Sequence, residues 1–190
     1  MDISNFHSLD FRMTRGVVFA KQQDLNLARN IAILGGKRFP DEPVCLIQSE
    51  GTKWTDFLRA SLETKIVSRH FVQILENNQF NGWRAYETII ADKDGNHRSD
   101  YSGLSIIGKC GPPNDSLSTP FEKVRVPGGK PTTYLKGLYV GLDSWDGSDL
   151  FIPETTIIIV VTSQVRAALE KAKLTNLEFK CLADWEFTPK

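Results

Sequence analysis

Two stretches decide how this chain folds: Ile66–Phe80, IVSRHFVQILENNQF, and Val160–Leu174, VVTSQVRAALEKAKL, which lie 94 residues apart. Written over each other, Val67 matches Val161, Ser68 matches Thr162, Phe71 matches Val165, and Leu75-Glu76 matches Leu169-Glu170. Just beyond, Phe80 falls on Leu174 and Gly82 on Asn176. Few positions are identical, but the physical roles correspond. In each copy a short β-branched run leads to a hydroxyl residue able to cap a helix, Ser68 in one and Thr162 or Ser163 in the other. Apolar residues then recur at helical spacing, as Phe71, Ile74 and Leu75 and as Val165, Ala168, Leu169 and Ala172, so one stripe of each helix is buried. Gly82 and Asn176 tolerate the left-handed conformation that stops a helix and turns the chain. A strand follows in both copies, Trp83–Ile90 in the first and an alternating Leu177, Phe179, Cys181 face in the second.

Working outward, Asp94-Gly95 centres a turn that joins Trp83–Ile90 to a strand near Tyr101–Gly108, which makes a β-hairpin. Cys110–Pro131 holds five prolines and three glycines and reads as an irregular surface segment. Tyr134–Leu142 offers another strand, and Phe151 followed by Ile157–Val161 supplies the strand entering the second unit. In the N-terminal third, Gly16–Ala20 and Val44–Ile47 look like strands, Leu25–Leu34 suits either type, and Trp54–Leu62 reads as a two-turn helix. The expectation is an α+β protein with a mostly antiparallel sheet, few helices and two related strand–capped helix–turn–strand units near residues 66–90 and 160–182. Residues 1–50 read as N-terminal strands and loop, residues 51–190 as the region of the paired units, and the whole as one compact domain.

The 190 residues carry 23 basic and 23 acidic side chains, and residues 1–50, 51–100, 101–150 and 151–190 each sum to zero. Phosphate backbones and anionic membranes draw on clustered Lys and Arg, so nucleic acid and membrane surface are not expected partners. Met1–Leu9 lacks the cationic and apolar runs of a secretory signal, and the longest apolar run, Ile157–Val161, is five residues. A cytoplasmic location is expected. Cys45, Cys110 and Cys181 are three thiols without a CxxC pair, expected to be reduced and structural.

Catalytic spacings are scarce. His7, His70 and His97 do not form HExxH, Gly35-Gly36-Lys37 and Gly128-Gly129-Lys130 lack the GxxxxGK phosphate loop, and Ser144 lacks the GxSxG turn. No catalytic residue, metal or cofactor is assigned. What stands out is Leu142–Glu154, where Asp143, Asp146, Asp149 and Glu154 occur with no Lys or Arg and are interleaved with Trp145, Phe151 and Ile152. An aromatic anchor among acidic residues suits a surface for a basic partner. A calcium loop and a set of turn-shaping aspartates with Trp145 in the core are the competing readings. The preceding Glu122–Lys136 has Lys123, Arg125, Lys130 and Lys136 against Glu122 alone, so a charge boundary is expected near residue 140.

The Ile66–Glu76 segment, Tyr101–Gly108 with Asp115, Gly137-Leu138-Tyr139, Trp145–Phe151 and the closing Ile159–Phe179 together resemble a bacterial family of immunity proteins. This is the myxobacterial-type immunity domain of polymorphic toxin systems. Its paired units look like Val-Ser, two free positions, an apolar residue, three free positions, Leu-Glu and then Leu-Thr followed by Gly or Asn. The resemblance covers about residues 50–182, and Thr162, Val165, Leu169, Leu174, Thr175 and Asn176 carry it most specifically. Some relatives have a doubled CxxCG element; this chain has only Cys110-Gly111, so no metal is implied. The resemblance implies a non-enzymatic inhibitor that binds and neutralises a cognate antibacterial toxin. The expected partner-binding residues are Asp143, Trp145, Asp146, Asp149 and Glu154, and then the hairpin tip Asp92, Asp94 and His97. The alternatives are a hydrolase or transferase whose site converges only in three dimensions, and a general protein-binding adaptor.

Overall fold

The computed structural model describes residues 2–12, 14–61 and 63–189. From the N-terminus the chain runs through β1 (Phe6–Phe11), β2 (Phe19–Gln22), α1 (Leu27–Leu34), β3 (Val44–Glu50), β4 (Phe57–Ala60), β5 (Ile66–Ser68), α2 (Arg69–Asn77) and β6 (Trp83–Ala91). The short β7 (His97–Arg98) leads into β8 (Tyr101–Ile106), β9 (Gly108–Cys110) and the hairpin of β10 (Thr119–Lys123) and β11 (Thr132–Lys136). The chain closes with β12 (Leu150–Pro153), β13 (Ile159–Thr162), α3 (Ser163–Lys171), β14 (Leu177–Cys181) and β15 (Glu186–Phe187). Pairing is antiparallel except where β2 meets β4, β3 meets β6 and β9 meets β12. The protein is α+β with few helices, as its sequence leads one to expect.

The two quoted stretches adopt one structure. Ser68 and Thr162 share φ −68 and ψ 159, and each hydroxyl accepts the N–H three residues on, from Phe71 at 3.1 Å and Val165 at 3.5 Å. Both helices end in the same left-handed turn, at Gln79 (φ 57) and Lys173 (φ 56). The Phe80 N–H then donates to the Leu75 carbonyl at 3.0 Å and that of Leu174 to Leu169 at 3.4 Å. Gly82 (φ 87) and Asn176 (φ 65) make a second left-handed step three residues later, into β6 and β14. A side chain at Gly82 would collide with the Leu150 carbonyl oxygen, so only glycine serves there.

The correspondence extends to the strands around the two helices. Phe57 stands opposite Val67 as Leu150 stands opposite Val161. β8 lies between β5 and β6 as β1 lies between β13 and β14. Strands β1, β2, β4, β5 and β6 with α2 therefore recur as β8, β9, β12, β13 and β14 with α3, and the first strand of each repeat is inserted into the sheet of the other. Residues 1–50 are thus part of the first repeat and supply a central strand to the second.

In the first half β3 pairs with both β2 and β6 and closes a six-stranded barrel. Its interior holds Val18, Ala20, Leu46, Leu58, Ile66, Ile90 and Tyr101, with Trp54 packed on Tyr101 at 5.6 Å between ring centroids. In the second half the place of β3 is taken by Leu138–Gly141. The Gly141 backbone bridges to Gly111, and the Leu138 N–H donates to the Leu182 carbonyl at 2.8 Å. The core there holds Phe6, Cys110, Val140, Phe151, Val160 and Leu182, with Trp145 on Phe6 at 5.2 Å. Between the halves lies a shared core that includes Phe57, Val67, Phe71, Leu75, Leu104, Leu150, Val161, Val165 and Leu169. Removing this apolar surface from water ties the halves together.

Two sequence expectations change. Trp54–Leu62 is not a helix: Phe57 and Leu58 are both fully buried, one in the shared core and one in the barrel, which is the pattern of a strand covered on both faces. The apolar spacing alone cannot tell the two apart. Leu62 itself lies outside the described residues. Within the segment expected to be irregular, Thr119–Lys123 forms a strand, and Pro120 is accommodated because β10 is an edge. The ambiguous Leu25–Leu34 resolves as α1, with the Asn26 side chain capping the Arg29 N–H at 2.9 Å.

Candidate functional site

Three of the aspartates singled out in the sequence, Asp92, Asp146 and Asp149, are bonded to the protein's own backbone. Asp149 Oδ2 accepts the Asn81 N–H at 3.0 Å, and Asn81 Oδ1 accepts the Asp149 N–H at 3.1 Å. Its counterpart in the first half is Asp56, whose Oδ2 accepts the Thr175 N–H at 2.8 Å and the Thr175 hydroxyl at 2.7 Å. Each half therefore clamps the helix-exit turn of the other. Asp146 ties its loop to β9, accepting the Lys109 N–H at 2.8 Å and the Ser148 N–H at 3.0 Å. Burial alone would raise the Asp146 carboxyl, but these hydrogen bonds outweigh it and hold the group below its ordinary range. Trp145 is half-buried against Phe6 and Phe151, with its indole N–H donating to the Ser148 carbonyl at 3.1 Å. Asp143 and Glu154 are exposed.

At the other expected position, Asp92 shapes the β6–β7 turn. Its Oδ1 accepts the N–H groups of Asn96 at 2.8 Å and Asp94 at 2.9 Å, and the Asn96 bond leads in lowering its pKa. Asp94 and His97 are exposed. The hairpin belongs to the first barrel and Leu142–Glu154 to the second; no hydrogen bond or ion pair joins them among the described residues. The expected charge boundary is also softened in space. Lys123 pairs with Glu186 at 2.5 Å and Lys136 with Asp184 at 3.0 Å.

Ser, His and Asp do meet at Ser68, His70 and Asp56. The Ser68 hydroxyl donates to Asp56 Oδ1 at 2.7 Å, and His70 Nδ1 stands 3.9 Å from the same oxygen. The serine faces the carboxylate rather than the imidazole, so this arrangement clamps the start of α2 and leaves the hydroxyl without a base. His7 and Cys181 stand opposite each other on β1 and β14, but the imidazole Nε2 is 2.8 Å from Arg166 and the thiol donates to the Ser4 carbonyl. Burial, and then the Arg166 charge, push the His7 pKa down. Among the described residues no group of three or more His, Cys, Asp or Glu is placed to hold a metal, and no helix is long and apolar enough to cross a membrane.

The surface feature the sequence did not reveal is an apolar groove of about 440 Å³ beside β15, lined by Pro113, Leu138, Ile157, Ile158, Trp185 and Phe187 among others. Ile157 is 41% exposed there. A signal existed in the run Ile157–Val161, whose last three residues are the buried start of β13 while its first two precede the strand and are left for the surface. Trp185 and Phe187 come from the last residues of the second half, and no local pattern links them to Pro113. The groove's rim carries Asp115, and Glu154 immediately precedes its lining residue Thr155. Of the residues expected from sequence, Glu154 alone adjoins the groove in the chain.

Neither a protein-family model nor a curated protein matches this chain.

Proposed function

We propose that this chain is an immunity-type inhibitor that neutralises a cognate antibacterial toxin by binding it in the cytoplasm. The observation that carries the binding part is the apolar groove beside β15, since apolar side chains gathered in an exposed concavity are the usual mark of a protein contact site. The toxin part comes from the resemblance of the paired helix units to the immunity family. Such inhibition calls for an interface of about 800 Å² per partner and no chemistry of its own. Occluding the toxin's active site and locking the toxin in an inactive form are both compatible with it.

Co-expression with the product of the gene immediately upstream tests the reading. Rescue of growth, together with co-purification of the two proteins, supports it. Toxicity undiminished by this chain, with no co-purification, overturns it and favours the general adaptor.

A further inference from the structure

The repeat shows what kind of element belongs in the groove. In the first half α1 lies over the mouth of the barrel. The Asn30 side chain is buried there and donates to Gln22 Oε1 at 2.6 Å and Thr64 Oγ1 at 3.1 Å, while Ile33 and Leu34 are buried beside it. The strand registers identify the corresponding positions in the second half. Ala20 stands opposite Ala60 as Cys110 stands opposite Pro153, so Gln22-Gln23 correspond to Pro112-Pro113. Thr64 lies two residues before Ile66 as Ile158 lies two before Val160, and those two residues occupy equivalent barrel positions. Lys21 stands opposite Ile47 as Gly111 bridges to Gly141, so Val44 corresponds to Leu138.

Pro113, Ile158 and Leu138 are therefore the counterparts of Gln23, Thr64 and Val44, and all three line the apolar groove. In the first half the connection between the second strand and β3 forms α1 and covers this mouth. In the second half the same connection runs out into the β10–β11 hairpin, and the mouth stays open.

We infer that the open mouth of the second barrel is the docking site for an amphipathic helix of a partner protein, seated where α1 sits in the first barrel. The inference rests on the reading that the chain acts by binding another protein. α1 presents residues at i, i+3 and i+4 to its seat, so the incoming helix contributes two turns with that spacing. The polar seat of Asn30 is replaced by Ile158 and proline, which offer no partner for a buried amide. The part of the incoming helix that meets Pro113, Leu138 and Ile158 is therefore apolar. Asp115 and Glu154 form no ion pair among the described residues and favour Lys or Arg on the flank of that helix.

The test is calorimetric titration of the full chain with the protein encoded immediately upstream, with hydrogen exchange followed on both proteins. Expected are slowed exchange at residues 155–158 and 185–188, a protected helical segment in the partner, and loss of that protection when a proline is placed in its middle. Ile157→Asp weakens binding by about tenfold or more, and Leu27→Asp on the exposed face of α1 changes it by less than about twofold. Should Ile157→Asp disturb folding, the exposed double reversal Asp115→Lys/Glu154→Lys replaces it, with weakened and more salt-sensitive binding expected. A complex unaffected by these substitutions, or a footprint elsewhere, overturns the docking site while leaving the inhibitor reading standing. An extended partner segment in the groove overturns the helix. Absence of any complex with the wild-type chain overturns both readings.

Discussion

The two halves of this molecule share a plan and differ in how far they are finished. The first barrel is closed by a seven-residue strand that pairs on both sides and is covered by α1; the second is closed by the short Leu138–Gly141 segment and has no helix over its mouth among the described residues. Yet the parts that meet in the middle are nearly superimposable in role, from the caps at Ser68 and Thr162 to the turns at Gln79 and Lys173. The centre is constrained because both halves bury it. The connection from β2 to β3, and its counterpart from β9 to Leu138, is free to diverge, and it diverged into a lid in one half and a hairpin in the other.

This comparison can be broken from the inside first. Phe71 and Val165 are equivalent, fully buried residues of the shared core, so both Phe71→Ala and Val165→Ala destabilise the whole protein. The larger ring makes the first cost about 4 kcal/mol and the second about 2 kcal/mol, measured by urea unfolding. A biphasic transition in either variant would show that the halves fold separately. The clamps come next. Asp56→Ala removes three accepted hydrogen bonds and should cost about 3 kcal/mol, whereas Asp149→Ala removes one and should cost about 1 kcal/mol. Equal losses would contradict the unequal clamping. Charge reversal at Asp146 or Asp149 should lower stability for the same reason, so changed toxin binding in those variants must be read against their unfolding curves. Among the caps, Ser68→Ala and Thr162→Ala should each cost about 1 kcal/mol by loss of the helix-initiating bond.

The smallest expected effect is on pH dependence. Burial alone would raise the Asp56 carboxyl, but the bonds from Ser68 and Thr175 prevail and lower it below 3.8. Its contribution is therefore fully present above that value and is lost as the pH falls through the depressed folded value. His7 is lowered from 6.5, so the unfolded chain binds its proton more readily and stability also declines as the pH drops below 6.5. Asp56→Asn should flatten the acid limb of a stability-against-pH curve, and His7→Gln the limb between pH 6.5 and the carboxylate range. Unchanged limbs would remove these two groups from the account.

The centre of the fold was legible in the sequence because local rules govern it: a hydroxyl cap, a helical stripe, a residue that tolerates positive φ. The full extent of the repeat was not. β1 and β8 correspond through strand pairing across the molecule, and Phe6 and Tyr101 share only an aromatic ring in a barrel. β4 was misread as a helix because burial on both faces erases the alternation that marks a strand. The site was less legible than the fold. Asp146 and Asp149 stood out by charge, which cannot separate a carboxylate facing a partner from one bonded to a neighbouring backbone. The groove is built from Pro113, Leu138, Ile157, Ile158, Trp185 and Phe187, four separate stretches that only the folded chain brings together.

Native-state hydrogen exchange on the free protein tests most directly the claim of one folded unit with one covered and one open barrel mouth. Amides of α2, α3, β5 and β13 should open together with the free energy of global unfolding, while those of residues 155–158 and 185–188 exchange much faster than those of α1 around Asn30. Separate opening energies for the two helices, or protection at the second mouth equal to that under α1, would contradict the account.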